Sequence, residues 1–199
     1  MNRGPLDVLQ LRGAARVQDF PAVSVGVGVC PPRAGLIPAS MFATTVPWMK
    51  MAYAGALVVA AGWMTASLSR PAAPIVRPRA LVAVFVAMAI VGAVCLLAQP
   101  EGARASALLG QSWLRCPWSV LMLSLPALAA ALWAVRGLAP TRPRAAGFAA
   151  GLLAGSLGAL GYALSCPEAS PAFVAVWYSL GIALTGAVGA ALGPRVLRW

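Results

Sequence analysis

Five stretches of the chain run for about 20 residues with almost no charge, the length an α-helix needs to cross the hydrocarbon core of a bilayer. They cover residues 51–68, 80–98, 117–135, 145–165 and 172–193. Lipid cannot satisfy open backbone groups, so each stretch predicts a helix. The connectors "SRPAAPIVRPR" (69–79) and "RGLAPTRPR" (136–144) are rich in proline and arginine, which favours extended backbone and ends the helices on either side. The pattern predicts an all-α integral membrane protein, a bundle of five transmembrane helices with short loops over residues 47–199. Residues 1–46 read differently. Their best apolar stretch, 20–29, is too short to span and is followed by Pro31, Pro32 and Arg33. It has no compact basic segment ahead of an apolar one, so a signal peptide is not expected either.

Composition agrees: 61% of the 199 residues are hydrophobic and 10% charged, with a mean hydropathy of +0.84. Soluble domains are closer to half apolar and a quarter charged. The net charge of +11, from 15 basic and 4 acidic residues, would suggest nucleic acid in a soluble chain. Here the arginines fall between the apolar runs, where they set topology and meet lipid headgroups, so direct nucleic-acid binding is not expected. There is no histidine, and the only acids are Asp7, Asp19, Glu101 and Glu168. Most acid–base catalysis is thereby excluded, and an enzyme is not expected.

The arginines also orient the bundle. Arg70, Arg77 and Arg79 follow the first span, Arg136, Arg142 and Arg144 follow the third, and Arg195 and Arg198 follow the fifth. All three groups share one face, and the positive-inside rule assigns that face and the C terminus to the cytoplasm. Five spans then put the N-terminal segment outside, with Arg3, Arg12, Arg16 and Arg33 running against the same rule. The opposite face carries Cys116, which opens the third span, and Cys166, which closes the fourth; each is followed by proline. Pro117 suits the first turn of a helix and Pro167 helps to end one. Cys95 is expected near the same level. Two thiols at one membrane depth can form a disulfide, capture a soft metal such as Cd²⁺ or Zn²⁺ with Glu168 as a third ligand, or react with an oxidant. They can equally be small residues that pack well at helix ends.

Smaller features point to packing. Gly147, Gly151 and Gly155 recur every four residues on the fourth span, as do Gly181, Thr185, Gly189 and Gly193 on the fifth. Such rows let helices approach closely, within one chain or in a homodimer. Pro126 is expected to kink the third span. Trp48, Trp113, Trp118, Trp177, Tyr178 and Trp199 fit interfacial belts, and Lys50 is expected to snorkel to the headgroups.

The stretch from "WLRCPWSVLMLSLPAL" through "RGLAPTRPRAAGF" and "SCPE" to "WYSLG" and "GPRVLRW" resembles membrane anti-sigma factors of the NrsF type, over about residues 47–199. The resemblance implies a six-span bacterial inner-membrane regulator that sequesters an extracytoplasmic-function sigma factor. It also implies that Cys116 and Cys166 are the extracytoplasmic sensing pair, releasing the sigma factor in response to heavy metals or oxidants. No resident cofactor is implied; a soft metal would be a transient signal. Sigma contact is expected on the cytoplasmic face, at Arg70, Arg77, Arg79, Arg136, Arg142 and Arg144. With residues 1–46 atypical, the first of the six helices is expected to be missing or altered.

Two other classes fit the residues less well. A quinone-coupled thiol oxidoreductase normally needs a close Cys-x-x-Cys pair, which this chain lacks. A small transporter would place a polar or ionisable residue at mid-bilayer, where these spans offer only hydroxyls such as Ser124, Ser156 and Thr185. A purely structural bundle is the remaining alternative.

Overall fold

The computed structural model describes residues 44–69, 78–138 and 140–197. All regular structure in them is helical: α1 (Thr45–Leu68), α2 (Arg79–Leu97), α3 (Glu101–Leu109), α4 (Arg115–Arg136), α5 (Pro143–Ala163) and α6 (Pro171–Val196). All but α3 are long and apolar enough to cross a membrane, and they match the five expected spans to within a few residues. The largest shift is at α1, which begins at Thr45 and so takes Lys50 inside its second turn. Most of residues 1–46, including Cys30, and the arginines Arg70, Arg77 and Arg198 lie outside the described residues.

Proline sets several helix starts. Pro47 sits in the first turn of α1, and Pro143 and Pro171 open α5 and α6, where a missing N–H costs nothing. Ser170 caps α6, its hydroxyl accepting from the Phe173 N–H. Residues Val174–Tyr178 then form a π-helical turn before α6 resumes its α geometry. The helix α4 runs through Pro126 without a break in its assignment.

The central helix is α5, flanked by α1, α4 and α6, while α2 lies at the periphery against α1 and the start of α6. Glycine makes the α5–α6 pair close. A Cβ on Gly151 would lie 2.8 Å from the Gly186 Cα, and one on Gly155 would lie 3.0 Å from the Ile182 Cα. On the other helix, a Cβ on Gly189 would meet Gly147 and Gly151. The small-residue rows are therefore used inside the chain. The least buried span, α2, is also the most apolar, and Val82, Val86, Ile90 and Val94 stand exposed along it. That inversion of the soluble pattern fits lipid as the surrounding solvent. The hydroxyls of Ser124, Ser156 and Thr185 are buried and donate to the carbonyls of Val120, Leu152 and Gly181, one turn back on their own helices.

Candidate functional site

Up-and-down topology brings the starts of α1, α4 and α6 and the end of α5 to one end of the bundle. Cys116 lies in the first turn of α4 and Cys166 three residues beyond α5. Both are buried free thiols in one apolar cluster with Tyr53, Leu57, Val120, Tyr162, Phe173 and Tyr178. The backbone N–H of Cys166 donates to the Tyr162 carbonyl at 3.0 Å, so the segment carrying this thiol extends the end of α5. Cys95 is at the same end, as expected, but is only half-buried and faces Gln99, Ser106 and Ser170.

Lys50 enters this cluster from α1. Its side chain is 2% exposed, and its ammonium donates to the Cys166 carbonyl at 2.9 Å. It lies within electrostatic range of Cys116, Cys166 and Glu168. This corrects the expectation that Lys50 snorkels to the headgroups. Because α1 starts six residues before the apolar run read from the sequence, the lysine is too deep and turns inward to a carbonyl. Tyr178 is corrected in the same way: it is fully buried instead of interfacial. The π turn aims it between Tyr162, with ring centroids 5.7 Å apart, and the thiols.

A short segment is tied down beside the pair, at Glu168. In the connector between the second and third spans, α3 ends at Gly110, whose φ of +57° suits glycine. The next residues turn back on Glu168. Its Oε1 accepts from the Gln111 N–H at 2.7 Å and from the Ser112 hydroxyl at 3.1 Å. Trp177 adds a second tie, its indole N–H donating to the Leu108 carbonyl at 2.9 Å while its ring meets Trp113 at 5.4 Å. Glu168 is thus occupied in holding this segment. Among the described residues no group of three or more His, Cys, Asp or Glu side chains is placed to hold a metal ion.

The opposite end gathers the arginines. Arg79 opens α2, Arg136 closes α4, and Arg142 and Arg144 stand at the start of α5; all four are exposed. Arg144 and Arg195 line one cleft there with Ala190, Ala191 and Pro194. The two ends are joined by the glycine-tight α5–α6 pair and by α1 and α4 along its sides.

Comparison with known families decides what this architecture belongs to. A family described as NrsF, Negative regulator of sigma F, matches residues 15–199. The chain belongs to the NrsF family. The match extends the resemblance, which had been read from residue 47, back into the N-terminal segment. The chain is 44% identical over 154 residues to the anti-sigma-F factor NrsF of Caulobacter vibrioides. It is 40% identical over 153 residues to the probable anti-sigma-F factor NrsF of Azospira oryzae. Each alignment covers 76% of this chain and 72% of the relative. No solved structure matches.

In this NrsF chain three features went unread in the sequence. The segment "PEGARASALLG" carries an acidic first turn and a closing glycine, which together signal the helix α3. The inward course of Lys50 had a weaker sign, a lysine followed by an 18-residue apolar run with no headgroup-facing partner nearby. Nothing in the sequence announced the π turn that buries Tyr178.

Proposed function

We propose that this NrsF chain is a bacterial inner-membrane anti-sigma factor that sequesters a sigma factor of the extracytoplasmic-function type. Heavy metal or oxidant acting on Cys116 and Cys166 releases it. The observation that carries this reading is the position of the two free thiols: buried together, beside a tied-down segment, at the end of the bundle opposite the arginines. The positive-inside rule assigns the arginine end to the cytoplasm and the thiol end to the outer face. A sigma factor docks on Arg79, Arg136, Arg142 and Arg144, together with Arg70 and Arg77 of the 69–79 link and the Arg144–Arg195 cleft.

In the resting state the thiols are packed as small apolar side chains. Capture of Cd²⁺ or Zn²⁺ displaces a proton from each sulfur and draws the start of α4 toward the end of α5; a two-electron oxidant joins the sulfurs instead. Packed helices move as rigid bodies, so the change reaches the arginine end. The ligand must favour the released state by a few kcal/mol to act as a switch. With the glycine rows buried between α5 and α6, one chain holding one sigma factor is the simplest unit, and anionic lipid surrounds the arginine end.

A reporter of sigma-dependent transcription tests this. Cd²⁺ or an oxidant is expected to induce it in cells carrying the wild-type chain and not in cells carrying Cys116→Ser/Cys166→Ser. Equal induction in both strains would contradict the sensing role.

A further inference from the structure

We infer that Lys50 is the residue that couples the thiol pair to helix α1. The inference rests on the sensing role proposed above and assigns the path by which that role reaches the other end. Lys50 and Cys166 are 116 positions apart in the chain, yet the Lys50 ammonium donates to the Cys166 carbonyl at 2.9 Å in a buried contact. Among the described residues the only ion pair is Arg104 with Glu101, so the buried cation is held by a backbone dipole and not by a carboxylate.

A buried ammonium that loses its acceptor is strongly destabilised. If Cys166 shifts when its sulfur is engaged, its carbonyl shifts with it. Lys50 must follow or be left buried without its acceptor. The lysine has little freedom to follow alone, because its side chain is buried and held by the Cys166 carbonyl. The movement therefore passes to α1. Its 24 residues make a rod about 36 Å long, packed along α5, with Ala54, Leu57 and Ala61 buried on it. At its far end α1 leads into the 69–79 link, which carries Arg70, Arg77 and Arg79. A neutral side chain at position 50 would leave the thiols free to react while α1 stays behind. Lys50 acts through Cys166 and α1, as a positioning residue and not as a ligand.

The test uses the full chain in nanodiscs, bound to its sigma factor, with Cd²⁺ as the probe and two independent readouts. Protection of Cys116 and Cys166 from alkylation, with Cys95 as an internal reference, reports metal capture. Retained sigma factor reports release. Lys50→Met is expected to bind the sigma factor at rest and to protect both cysteines as the wild type does. Its Cd²⁺-driven release should fall by about tenfold or more, and Lys50→Arg should restore most of it. Release by Lys50→Met within about twofold of wild type would overturn the inference, as would loss of cysteine protection, which would make Lys50 part of the capture site. Should Lys50→Met fail to assemble, Lys50→Gln, which keeps a donor without the charge, is expected to lose release in the same way. Wild-type chain whose cysteines are protected without any release would remove the sensing role itself, and the coupling with it.

Discussion

The two ends of the bundle are built on opposite principles. At the thiol end, polar side chains tie separate elements together: Lys50 of α1 to Cys166, Tyr53 of α1 to Ser179 of α6, Glu168 to the turn after α3, and Trp177 of α6 to the end of α3. At the arginine end the core is the aliphatic cluster of Leu128, Leu132, Val135, Ala146 and Ala150, and the charges point outward. Ser69 there bonds only one turn back, to the Thr65 carbonyl. A cross-linked end resists change until something reacts with it, whereas an end of exposed guanidiniums is free to bind and let go of a partner. The middle, where glycine brings α5 and α6 into backbone contact, leaves little slack between them.

That contrast can be broken in the middle, at one end, or at the other. The largest effect is expected from Gly151→Leu. A Cβ there falls 2.5 Å from the Thr185 carbonyl oxygen and 2.8 Å from the Gly186 Cα, both backbone atoms that cannot swing aside. Overpacking of this kind costs roughly 1–3 kcal/mol or more. Unfolding in mixed micelles should show the loss, and an unchanged transition would mean that the two helices are not held this closely.

An intermediate effect is expected at the segment tied to Glu168. Glu168→Ala removes both ties to Gln111 and Ser112. Gly110→Ala places a methyl 2.7 Å from the Glu168 carboxylate at a backbone φ that disfavours it. Either change should raise the alkylation rate of Cys116 and Cys166 by about tenfold through local opening, while Cys95 reacts as before. If neither changes the rate, the segment does not guard the thiols.

The smallest effect belongs to the arginine end. Arg144→Ala and Arg195→Ala each remove one exposed charge from the cleft. Each should weaken sigma-factor binding by less than about tenfold, and the difference should fade as salt is raised. Titration at two ionic strengths checks this, and a deficit unaffected by salt would point to a packing role.

How far the sequence disclosed this arrangement depended on the physics of each part. The spans were legible because lipid imposes both length and apolarity, and the five expected helices recur with only their ends moved. The glycine rows were legible because close approach demands small residues at a helical period. The pairing of Cys116 with Cys166 followed from counting spans, which fixes which helix ends are neighbours. Lys50 escaped because its partner is a backbone carbonyl, and a carbonyl carries no side-chain signature. Glu168 was visible only as a carboxylate near a thiol; its engagement by Gln111 and Ser112 depends on the turn that Gly110 makes. Tyr178 was misplaced because a π turn rotates the side chains that follow it, which α-helical spacing does not anticipate.

The central claim is that chemistry at the buried thiols governs binding at the far end. It is tested most directly by co-purifying the detergent-solubilised chain with its sigma factor, with and without Cd²⁺. The wild type is expected to hold the sigma factor and lose it on treatment, and Cys116→Ser/Cys166→Ser to hold it in both conditions. Release that persists in the double variant, or a wild-type complex indifferent to both Cd²⁺ and oxidant, would contradict the account.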